Sequence, residues 1–319
     1  MLNLVLYSLC FQQDKNIEII LTYLVNFLVI YFLSLTQMIY ARDLSGIELK
    51  ATHVKGNIYM LEGANGFAGG NIGVSTGDDG ILIVDDQFTG MSDKILKTLS
   101  NIHTGKLRYV LNTHWHGDHT GSNALFSNQA TIISHDNVRK RLMVDQNNFF
   151  ASSPAQPEAA WPVITFNHSL NIHFNNETIK VLHFPNGHTD GDSVVYFTKS
   201  NVVHMGDLFF SGMFPFIDMD SGGNVINYAE NIGNIIKSLS KGVKIIPGHG
   251  PLSDRHDLIV YHKMLKDSIQ YVSEKIEKNI DLEDIQQQGL PENLKSWEKG
   301  FIKESDWIMF IYKSIINRR

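Results

Sequence analysis

The stretch Thr113-His114-Trp115-His116-Gly117-Asp118-His119 puts four candidate metal ligands, His114, His116, Asp118 and His119, into six consecutive positions. It follows LRYVLN (107–112), an apolar run that reads as a buried strand. In extended backbone successive side chains point to opposite faces. His114 and His116 can therefore reach one point while Trp115 turns away. Gly117 lets the chain turn, so that Asp118 and His119 address a second point. Imidazole nitrogens and a carboxylate oxygen suit zinc, with bonds of roughly 2.0–2.2 Å. The bland alternative is a histidine-rich loop without metal. It accounts for one histidine far better than for four ligands placed just behind a strand.

Residues of this kind work only when rigid elements hold them. Short β-like runs come first, at 49–54, 57–63, 71–77 and 81–86, the last being ILIVDD. Ser92 to Ile102 has helical spacing, with Ile95, Leu96 and Leu99 on one face. After the histidine cluster the text gives a strand at 131–134, a helix from His135 to Val144, and a polar loop with Pro154, Pro157 and Pro162. Further strands fall at 164–166, 170–174, 178–184, 193–197, 201–205 and 243–247, with a helix from Ile226 to Leu239. The remainder is helical, interrupted near Gly289-Leu290-Pro291. Strands joined by hairpin-length connections and mixed with helices argue for a layered α/β sandwich with antiparallel pairing.

The chain has 319 residues, a net charge of -6 and a single cysteine, Cys10. No basic stripe offers phosphate contacts, which argues against a nucleic-acid partner. Beyond Cys10 any metal site must use nitrogen and oxygen ligands. Ile19 to Leu35 is an uncharged apolar run, followed by Ala41. Residues 1–41 read as a cleaved signal peptide, giving a periplasmic or secreted protein, or as an N-terminal membrane anchor. Membrane contact is expected only through this segment.

The His-x-His-x-Asp-His pattern resembles the signature of the metallo-β-lactamase superfamily. Further motifs follow in the order of that family. Asp85 ends the run LIVDD, His188 lies in Asn186-Gly187-His188-Thr189, Asp207 in His204-Met205-Gly206-Asp207, and His249 in Pro247-Gly248-His249-Gly250. The resemblance spans about residues 55–252 and implies a four-layer αββα sandwich, an α/β (α+β) fold, with its metals at one edge. It divides the chain into a metallo-β-lactamase domain at 49–279 and a C-terminal helical extension at 280–319. It implies two zinc ions per chain. His114, His116 and His188 would hold the first, Asp118, His119 and His249 the second, and Asp207 would bridge them. Two such ions share a water, lower its pKa towards neutrality and direct the hydroxide at a carbonyl carbon. Asp118 would orient that hydroxide or shuttle its proton. Asp85 would fix a ligand or its loop. The other histidines, His204 among them, read as structural or surface residues.

The expected activity is hydrolysis of a small ester, thioester, lactone or amide. A β-lactamase is the alternative within the family. A mononuclear iron oxygenase of the sulfur-dioxygenase type is an alternative from another reaction class, and a catalytically dead binding module is a third. Cysteine-ligand lactamases carry Cys at the position of Asp207 and Lys three residues later, where this chain has Phe210. The glycine-rich stretch around Phe67 is either a flap with an apolar tip or an ordinary hairpin turn. The apolar loop Ser211 to Ile217 would wall the substrate site or an oligomer contact. Phe67, Phe210 and Phe214 are thus the expected pocket residues for a small-molecule substrate.

Overall fold

The computed structural model describes residues 43–147, 149 and 152–317; the leader segment lies outside the described residues. Strands β1 (Glu48–Lys55), β2 (Ile58–Ala64), β3 (Ile72–Gly77) and β4 (Gly80–Val84) form an antiparallel meander. Strands β5 (Leu107–Leu111), β6 (Thr131–His135) and β7 (Ile164–Phe166) extend it in parallel to a seven-stranded sheet. Every residue of β4 is buried, as its unbroken apolar run requires, whereas β1 is an edge strand carrying Glu48, Lys50 and Lys55. The second sheet has six strands: β8 (Ser169–Phe174), β9 (Glu177–His183), β10 (Ser193–Phe197), β11 (Val202–His204), β12 (Lys244–Ile246) and β13 (Ser253–Asp254). In it β11 and β12 are parallel neighbours and the other pairs are antiparallel.

The sheets face each other across a core that includes Ile58, Leu82, Val84 and Leu111 from the first and Ile179, Val195, Phe197 and Ile246 from the second. Each such side chain contributes roughly 1.5–3 kcal/mol on burial. Helix α1 (Ser92–Ile102) packs on β1, and a short helix, α2 (Gly117–Thr120), opens directly after the histidine pair. Helix α3 (Asp136–Leu142) packs on β6 and β7. The other outer layer contains α4 (Val225–Ser238), α5 (Arg255–Glu277), α6 (Leu282–Gln288) and α7 (Glu304–Ile316). Asn224 caps α4 by accepting from the amides of Ile226 and Asn227, and Asp254 with Asp257 forms a capping box on α5. Trp307, Phe310 and Ile311 of α7 are buried in one cluster with Tyr228 and Tyr261. This is the αββα arrangement. The described elements belong to one compact unit, Gly46–Arg319, and among the described residues no helix is long and apolar enough to cross a membrane.

The departures from the sequence reading are local. The strand expected at 201–205 spans only Val202–His204, because Gly206 takes a φ of 50° and opens a 3-10 turn. The proline-bearing loop contains a small hairpin, Gln146–Asn147 against Ser152–Ser153. The chain turns at Gly117 by opening a helix there, with an ordinary φ and room for a Cβ.

Candidate metal centre

Loops at the C-terminal ends of β4, β5, β9, β11 and β12 share one edge of the sandwich, and each brings polar groups to it. The β5 end carries His114 and His116, and α2 presents Asp118 and His119. Trp115 does turn away, into a cluster with Val138, Leu142 and Trp161. The β9–β10 loop brings His188, the turn after β11 brings Asp207, and the chain after β12 brings His249.

These seven side chains fall into two groups. His114, His116, His188 and Asp207 form one, and Asp118, His119 and His249 the other; within each group the ligand atoms lie within 4.8 Å of one another. Asp207 faces both. Its Oδ2 is 3.4 Å from His188 Nε2 and 3.7 Å from His114 Nε2. Its Oδ1 is 3.2 Å from His119 Nε2 and 3.4 Å from His249 Nε2. Asp118 Oδ2 lies 3.4 Å from His249 Nε2 and 3.6 Å from His119 Nε2.

The outward partners of the rings fix which nitrogen carries the proton. His188 Nδ1 donates to the Phe216 carbonyl at 2.8 Å, and His116 Nε2 to Asp218 Oδ2 at 2.7 Å. His119 Nδ1 donates to Asp85 Oδ2 at 2.7 Å. The Thr113 hydroxyl donates to that same oxygen, so its own oxygen accepts from His114 Nδ1 at 3.0 Å. Three unprotonated nitrogens therefore converge: His116 Nδ1 is 2.9 Å from His188 Nε2 and 3.1 Å from His114 Nε2. Lone pairs that close repel unless a cation sits among them. Ligands at the corners of a tetrahedron around zinc are roughly 3.3 Å apart, so the spacing suits one ion.

Electrostatics point the same way. Burial drives His114 well below the ordinary histidine range and His188 down to about 4, leaving both neutral. Burial also opposes charge on His119 and His249, but Asp207 and Asp118 outweigh it, holding His119 well up and His249 at about 9. The carboxyls of Asp118 and Asp207 are held well below their usual range by these histidines, again against burial. The protons on His119 and His249 thus occupy places that a bound cation would take, with proton release.

Asp85 stands where the sequence suggested. It has a φ of 66°, and its Oδ1 accepts from the Thr113 amide at 2.7 Å while Oδ2 holds His119. His204 is fully buried and hydrogen-bonds to the Asn71 carbonyl, away from the ligand groups. Two pocket expectations need correction. Phe210 and Phe214 are 0% and 1% exposed and line no part of the adjoining cavity. Phe210 stacks behind His249, and Phe214 stacks on Trp307 in the helical core. Of the expected aromatic residues Phe67 does line the cavity, with Met213 and Phe301 as the other large apolar walls.

Sequence reasoning also missed Asp218. This buried carboxylate holds His116, while its main-chain amide donates to the His188 carbonyl at 3.0 Å. The only sequence signal was one acid closing an apolar loop. Asp218→Ala is expected to weaken metal binding by about 10–100-fold, because His116 loses the partner that sets its tautomer and ring angle. A chelator-competition titration checks this; unchanged affinity would remove Asp218 from the site.

Residues 65–249 match the family model of the metallo-beta-lactamase superfamily. The hydroxyacylglutathione hydrolase of Pelagibacter ubique is 28% identical over 186 residues, covering 56% of this chain and 67% of that protein. A type 2 metallo-beta-lactamase of Elizabethkingia meningoseptica is 22% identical over 217 residues, covering 65% of this chain and 81% of that one. The solved metallo-beta-lactamase from Pontibacter korlensis matches the fold with a TM-score of 0.58 at 15% identity, over 69% of this chain and 100% of its own. With seven clustered ligands and a family match over more than half its length, the chain is a metal-dependent hydrolase that belongs to the metallo-β-lactamase superfamily.

Proposed function

We propose that the protein hydrolyses a small ester, thioester, lactone or amide at a pair of zinc ions. His114, His116 and His188 would hold one ion, Asp118, His119 and His249 would hold the other, and Asp207 would face both. The observation that carries this reading is the division of the Asp207 carboxylate: Oδ2 lies 3.4 Å from His188 Nε2 and Oδ1 3.2 Å from His119 Nε2, so each oxygen faces a different histidine group.

The pair of ions, when bound, supplies an activated water at neutral pH and polarises the carbonyl. The protein's own groups do the rest. Asp118 is the most open of the seven ligand side chains, at 19% exposure. It can take the proton of the attacking water and pass it to the leaving group. Asp85 and Asp218 hold His119 and His116 in their ligating tautomers. The water oxygen ends on the acyl carbon, the bond to the leaving oxygen, sulfur or nitrogen breaks, and the proton leaves with that group.

The test is a panel of neutral esters, thioesters, lactones, penicillins and cephalosporins, run with zinc-loaded and chelator-stripped protein. The expected result is zinc-dependent turnover of an ester, thioester, lactone or simple amide, with low turnover of β-lactams. Activity that survives stripping, or that returns only with iron, would overturn the reading. Efficient turnover of the penicillins and cephalosporins would turn it into a β-lactamase.

A further inference from the structure

A cavity of about 470 Å³ opens directly beside the second ligand group, with His249 as part of its wall. That volume lies in the range of small-molecule sites, roughly 300–1,000 Å³. Its large side chains are Phe67, Met213 and Phe301, and much of the rest is the glycine-rich turn between β2 and β3. Phe67 sits with its ring 5.5 Å from the His249 ring, so the apolar wall reaches the ligands themselves. Phe301 comes from the segment just before α7, and Gly300 beside it is so close to Met213 that an added Cβ would stand 2.9 Å from the sulfur. Phe67 and Phe301, which both line this cavity, are 43% and 48% exposed. Two large, partly exposed aromatic side chains lining one cavity mark a binding surface.

The charge of the wall is as informative as its shape. Apart from His249, its ionisable residue is Glu62, and Glu62 is already paired with Lys50 at 2.9 Å. No lysine or arginine lines the cavity among the described residues. Away from His249, a carboxylate placed there would lose its hydration without gaining a lysine or arginine partner. An uncharged alkyl or aryl group would bury apolar surface against three large side chains.

We propose that this cavity binds the neutral, apolar arm of the substrate, so that the enzyme prefers uncharged medium-chain or aromatic acyl esters over acyl groups ending in a carboxylate. This rests on the hydrolase reading for its kinetic expression, but the binding site itself does not. Selectivity then comes from burial, at about threefold to fourfold per methylene removed from water.

Two measurements on zinc-loaded protein test it. The first compares kcat/KM for p-nitrophenyl acetate, butyrate, hexanoate, octanoate and hemisuccinate. Octanoate should exceed acetate by at least about 30-fold, and butyrate should exceed hemisuccinate by at least about tenfold. Phe301→Ser and Met213→Ala should each lower the octanoate-to-acetate ratio by about tenfold. Val163→Ser, which removes an apolar side chain that is 73% exposed and outside the cavity wall, should leave that ratio unchanged. The second measurement is calorimetric titration with butanamide and octanamide, which reads binding without turnover. Octanamide should bind at least about tenfold more tightly, and Phe301→Ser should erase the difference. A flat chain-length series with no octanamide preference overturns the cavity proposal and leaves the hydrolase standing. Octanamide preference without hydrolysis of any ester supports the cavity as a binding site and overturns the preference for esters. Preference for hemisuccinate overturns the neutral-substrate assignment.

Discussion

Asp207→Ala should leave the sandwich folded and strip the site of bound metal. The carboxylate is the one ligand that both histidine groups face, so its loss disturbs both together. The surrounding backbone does not depend on it. The turn is held by Phe209 and Gly248 amides on the Gly206 carbonyl, and the Tyr228 hydroxyl bonds to the main-chain oxygen of residue 207. Those contacts survive truncation of the side chain. Zinc content should therefore fall well below that of the wild type, and hydrolysis should drop by at least about three orders of magnitude. Circular dichroism should stay close to that of chelator-stripped wild type. If Asp207→Ala keeps both ions and full turnover, the bridging role is wrong.

Gly248→Ala should be nearly as damaging, although glycine carries no ligand. A Cβ at this position would stand 2.1 Å from Asp207 Oδ1 and 2.6 Å from the Gly206 carbonyl carbon. The carboxylate cannot swing aside without leaving both groups. The backbone cannot retreat easily, because the Gly248 amide donates to the carbonyls of Gly206 and Phe209 at 2.8 and 3.1 Å. We expect a loss of at least about 100-fold in turnover together with weakened metal binding, since a misplacement near 1 Å costs that much. Gly46→Ala is the control, because a Cβ there meets nothing within 4 Å and the φ is ordinary. Equal activity in the two variants would mean that the turn at Gly248 is softer than its hydrogen bonds imply.

Much of this site could be read from the chain because its ligands sit in short glycine-bearing motifs at strand ends. His114, His116, Asp118 and His119 are adjacent in sequence, and period-two alternation alone separates the histidine pair from Trp115. Asp85 was legible for a similar reason, since an acid ending a buried apolar strand has few other places to go. Asp218 was not. It meets His116 across 102 positions, and nothing local distinguishes it from other acids. The loop from Ser211 to Ile217 was legible only in part, because an apolar segment looks the same whether it faces a cavity or a core. Met213 lines the cavity, whereas Phe214 packs on Trp307 in the interior. The glycines illustrate the same limit. The need for glycine at 248 appears only when Asp207 arrives beside it.

The central claim is that two metal ions flank one carboxylate. Anomalous X-ray scattering recorded on either side of the zinc absorption edge tests it most directly. Two zinc peaks per chain are expected, one among His114, His116 and His188 and the other among Asp118, His119 and His249, with Asp207 between them. A single peak, or one that follows the iron edge instead, would contradict it.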